Sequence, residues 1–70
     1  MVTKIVLWSL IDKVHRDYNE RHLTYKEAMI YLDAYAAVAA VGPEKSRSVL
    51  ADRIERVRKW ITELYEVRHE

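Results

Sequence analysis

The sequence contains no cysteine and no glutamine, and only one asparagine, one glycine and one proline. Without cysteine there is no disulfide framework, no zinc ribbon and no cysteine nucleophile. A single glycine leaves no glycine-rich loop to cradle a phosphate. One glycine and one proline are also too few for the many tight turns of a β-sandwich or barrel. No run reaches the roughly 20 apolar residues that a bilayer-spanning helix needs. The longest, residues 28–41, is interrupted by Asp33. Nor is there an excess of either charge: the formal net charge is +1, so bulk charge points to no particular partner.

What remains is 50% apolar and 33% charged. That mixture is too apolar for a disordered chain and too charged for a membrane protein. Seventy residues make one domain. A chain of this size buries only about 60% of its unfolded surface when it folds alone. Small domains are usually held by disulfides, a metal or association. The first is absent, so the apolar excess is expected to lie between chains, in a homo-oligomer (a dimer or a tetramer). Residues 1–4 followed by the apolar residues 5–11 faintly imitate a signal peptide. The apolar stretch is too short, however, and Asp12 follows it with no small-residue cleavage site. A cytoplasmic protein is expected. The shortage of thermolabile side chains hints at a thermophilic source.

The clearest local signal is Leu23-Thr24-Tyr25-Lys26-Glu27-Ala28. Thr24 and Glu27 have the spacing of a capping box, with Leu23 and Ala28 placed as a hydrophobic staple. A helix is therefore predicted over about 25–41. Gly42 is expected in the left-handed position after it, and Pro43 cannot continue it. The next helix is predicted over about 44–68. Its Leu50, Ile54, Val57, Ile61 and Leu64 are spaced 4, 3, 4, 3, with Trp60 on one flank. The first helix, over about 3–21, repeats Leu7, Ile11, Val14 and Tyr18. Its residues 5–11 are apolar all round, which predicts burial on every side. Val6, Trp8 or Leu10 is thus expected to meet a second chain. A strand over residues 2–8, as in ribbon-helix-helix repressors, fits less well because the apolar residues do not alternate.

Few constellations carry chemistry. His15 and His22 are too far apart on one helix to share a metal, with about 10.5 Å of rise between them. Glu66 and His69 have the spacing of a di-iron carboxylate motif, but it occurs once only. No serine sits in a glycine-bounded elbow. Asp33 lacks a basic neighbour at helical spacing, and reads as an exposed acid or as one bonded to a tyrosine or to another chain's arginine. No catalytic residue, metal or cofactor is expected, and neither is an enzyme. The alanines at 34, 36, 37, 39 and 40 favour helix and also permit close approach by a neighbour.

The reading is an all-α domain of three helices spanning 1–70, with helices 2 and 3 as an antiparallel hairpin. It is expected to assemble through Trp8, Leu10, Leu50, Ile54, Val57, Trp60, Ile61 and Leu64, as a non-enzymatic assembly or adaptor protein that uses helix faces. The second reading is a small nucleic-acid-binding protein, with Arg47, Arg53, Arg56, Arg58 and Lys59 on phosphates.

Overall fold

The computed structural model describes residues 4–68. Three α-helices follow one another: α1 (Lys4–Asn19), α2 (Tyr25–Ala40) and α3 (Glu44–Arg68). Among the described residues there is no strand. Lys4 to Trp8 lie in α1, so the strand alternative fails there, while residues 2 and 3 lie outside the described residues.

Each helix end has a local cause. α1 stops at Asn19, two residues short of the expected boundary. Arg21 takes a left-handed backbone, φ 65°, with its N–H on Tyr18 O at 3.0 Å and the His22 N–H on Asp17 O at 2.7 Å. This is a Schellman closure, made on an arginine rather than the usual glycine. α2 opens on the capping box: the Glu27 N–H donates to Thr24 Oγ1 at 3.1 Å, and the Thr24 N–H donates to Glu27 Oε1 at 2.9 Å. The end of α2 departs from expectation. Gly42 does not adopt a positive φ. Instead α2 tightens, with Val41 N–H on Val38 O and Gly42 N–H on Ala39 O, bonds of the 3₁₀ type. Glycine fits here because a Cβ would stand 3.3 Å from the Ala39 carbonyl oxygen. Pro43 then offers its carbonyl to the N–H groups of Ser46 and Arg47, which starts α3.

The helices wrap one core, with each pair in contact, in a body 38 × 17 × 15 Å. α1 contributes Leu7, Ile11, Val14 and Tyr18; α2 contributes Ala28, Leu32 and Ala39; α3 contributes Leu50, Ile54, Val57 and Ile61. The α1 and α3 sets are the two periodic seams read from the sequence, and they meet inside one chain. Tyr18, the largest of these side chains, is fully buried. Arg68 lies over its ring and donates to the carbonyls of Tyr18 and Asn19 at 3.2 and 2.9 Å. A cation therefore sits at the negative end of α1. At the start of α2, Tyr25 stacks on Tyr65 at 4.1 Å and shares a hydrogen bond with Thr62. Half-way along, Asp33 meets Arg58.

Candidate functional site

The α3 residues expected at a chain interface are the first point to settle. Leu50, Ile54, Val57 and Ile61 are each 3% exposed or less, covered by α1 and α2 of the same chain. Leu64 is partly buried against the same core. Trp8 and Leu10 are half-buried rather than enclosed. The apolar start of α1 is not surrounded either: Ile5 is 78% exposed and Val6 is 49% exposed.

Trp8 and Trp60 belong to a cluster that sequence periodicity does not reveal. The Arg53 guanidinium lies 5.2 Å from the ring centroid of each tryptophan. Two of its nitrogens, Nε and Nη2, reach one oxygen of Asp12 at 2.9 and 2.8 Å. His15 packs on Trp60 with 5.1 Å between ring centroids. Asp12 stands four residues before Arg16 on α1, yet its carboxylate crosses to α3. This arrangement ties α1 to α3 by cation–π contacts and an ion pair.

The basic residues of α3 do not form one patch. Arg53 is held by Asp12, as above. Arg58 donates to Asp33 at 2.9 Å and lies 3.4 Å from Glu55. Arg47 lines a groove between α2 and α3 of about 350 Å³, together with Ala36, Ala39, Ala40, Ala51, Ile54 and Glu55. Arg56 and Lys59 share a shallow surface with three acids, Asp52, Glu55 and Glu63. The Asp33 carboxylate thus has an arginine partner, from its own chain, and remains 68% exposed.

Asp17 is hydrogen-bonded within its own helix. Its hydrogen bond from Lys13 at 2.6 Å, aided by the charges of Lys13, Arg16 and His22, holds its carboxyl below the ordinary value. Asp17, Glu20 and His22 bring three ligand-type atoms within 4.8 Å of one another at the end of α1. Lys13 already occupies Asp17, and Glu20 and His22 are exposed. His15 is engaged with Trp60, and His69 lies outside the described residues. A cleft of about 510 Å³ runs along the turn before α2 beside Tyr25, Lys26 and Tyr65. It is open and holds no paired acid and base.

The surface that stands out is the outer side of α2. Ile30, Ala34, Ala37 and Val41 are all exposed, Ile30 at 58% and Val41 at 87%. Their spacing is 4, 3, 4, so they form one stripe opposite the core stripe of the same helix. Tyr31 and Val38 extend it on one side and are also exposed. From Ala34 to Gly42 there is no charged side chain. The sequence reading placed the all-round apolar helix at α1; its clearest case is the second half of α2. Among the described residues no helix is long and apolar enough to cross a membrane. Comparison of the chain with family models, with curated proteins and with solved structures returns no match.

Proposed function

We propose that this is a non-enzymatic assembly or adaptor protein that works by self-association through helix faces, on a scaffold in which α2 and α3 form an antiparallel hairpin. The observation that carries the reading is the exposed apolar face of α2, beside a core that its own chain already fills. A folded monomer exposes single apolar residues routinely, but a contiguous apolar face marks an interaction surface. The interface set expected from the sequence is accordingly revised. The buried seam residues of α3 hold the protomer together, and the exposed α2 stripe, with the half-buried Leu10 beside Tyr31, is what remains to meet a partner.

The phosphate-binding reading draws less support, because Arg53 and Arg58 are engaged within the chain and Arg56 and Lys59 lie among acids. Light scattering on size-exclusion peaks, at low and high salt with absorbance at 260 and 280 nm, separates the two. A dimer or larger species of salt-independent mass and free of nucleic acid supports assembly. A species that carries nucleic acid at low salt and sheds it at high salt refutes it. So does a monomer at every concentration.

A further inference from the structure

We infer that the partner of the α2 face is the same face of a second copy, packed antiparallel about a two-fold axis, with Ile30 opposite the partner's Val41 and Ala34 opposite its Ala37. This rests on the self-association proposed above and specifies its interface.

Three observations argue for it. The first is size. Along the stripe the side chains run large, small, small, large: Ile30, Ala34, Ala37, Val41. This order is nearly unchanged on reversal, which an isologous pairing of reversed helices requires. The two alanines fall at the crossing point, where small side chains let helix axes approach to about 8 Å. The bulky residues then close the two ends. The 4, 3, 4 spacing is that of a helix–helix seam.

The second is charge. The stripe carries none, so a charged partner surface would lose its hydration here without compensation. A second copy of the stripe loses nothing. Electrostatics also chooses the direction. The last turn of α2 holds no basic residue of its own. Reversed pairing carries the partner's Lys26 one turn past Val41, towards the unpaired carbonyls of that end, where a cation is favourable. Parallel pairing would set Lys26 beside Lys26 and align the two helix dipoles side by side.

The third is area. α2 is about 24 Å long, from 16 residues at 1.5 Å each. A standard interface needs about 800 Å² on each partner, and one helix face of this length supplies roughly half. Tyr31 and Val38 on its flank must therefore join. The dimer is expected to be weak, dissociating in the micromolar range.

The absence of native cysteine makes the test direct. Chains carrying Ile30→Cys, labelled with ¹⁵N, are mixed with unlabelled chains carrying Val41→Cys and mildly oxidised, and the disulfide-linked dimers are weighed by intact mass spectrometry. Like positions, eleven residues apart on the helix, are offset along the axis by about 16 Å in the reversed pairing, far beyond the roughly 7 Å reach of a disulfide. The mixed dimer should therefore exceed either like dimer by about ten-fold. Predominance of the Ile30→Cys like dimer means parallel pairing and overturns the inference. In parallel, Ile30→Lys and Ala37→Glu are each compared with the unaltered chain by light scattering. Both sites are exposed, so helix content should hold while the mass falls to that of a monomer. A dimer that persists in both variants removes α2 from the interface but leaves self-association standing. A monomer in the unaltered chain up to about 1 mM removes both.

Discussion

Arg21 shows what a single backbone dihedral does. Its φ of 65° is costly for a residue with a Cβ, by about 1–2 kcal/mol. The Schellman bonds of Arg21 and His22 hold it there. Comparing Arg21→Gly with Arg21→Ala removes the side chain in both and leaves only the backbone difference. The glycine variant should be the more stable by about 1 kcal/mol in urea unfolding. Equal stabilities would mean that this turn relaxes out of the left-handed region. Asp17 makes a second prediction, on pH. Its carboxyl is held low chiefly by the hydrogen bond from Lys13. A depressed folded-state pKa gives stability that is present above the unfolded value, about 3.9, and is lost as pH falls through the folded one. The melting-temperature gap between the unaltered chain and Asp17→Asn should therefore be open at pH 6 and shrink below about pH 4. A gap that does not change with pH would assign the effect of Asp17 to packing.

At the scale of elements, the start of α2 is the firmest expectation carried by the sequence. Thr24 and Glu27 close a complete capping box. Thr24→Ala should cost about 1 kcal/mol in chemical denaturation, and Thr24→Ser should recover most of it. Loss from both variants alike would show that the threonine methyl, not its oxygen, matters. The α1 and α3 seams were legible for the same reason as the cap: strong local contrast between apolar and charged positions. α2 offers no such contrast. Its inward stripe (Ala28, Leu32, Ala39) and its outward stripe (Ile30, Ala34, Ala37, Val41) are both apolar, so periodicity alone cannot say which faces the core. Gly42 was misjudged because glycine after a helix usually means a left-handed turn, while here the close Ala39 carbonyl explains it. The Trp8–Arg53–Trp60 cluster was not legible at all. It joins α1 to α3 across 41 residues between Asp12 and Arg53, and no spacing rule within a helix reaches that far.

For the whole molecule, the same apolar excess that suggested association turns out to have two destinations. Part fills a single-chain core from all three helices. Part remains outside on α2 and at the start of α1. A 70-residue body with a radius of gyration of 12.0 Å has little interior to spare. If the outer part associates, folded chains are drawn into dimers while unfolded ones are not, and stability must rise with concentration. Above the dissociation constant, each ten-fold increase adds about 1.4 kcal/mol per dimer, or about 0.7 kcal/mol per chain. For a domain of this size that corresponds to about 3–5 °C in Tm. Scanning calorimetry from about 10 µM to about 1 mM should therefore show a climb of several degrees, unchanged or slightly enlarged in sulfate. A Tm that stays constant would mean that the chain is held by its internal ties alone: the filled core, the Arg68 cap on α1 and the Arg53 link between α1 and α3. The α2 face would then contribute nothing to folding, and its apolar character would have to be explained by a partner other than itself.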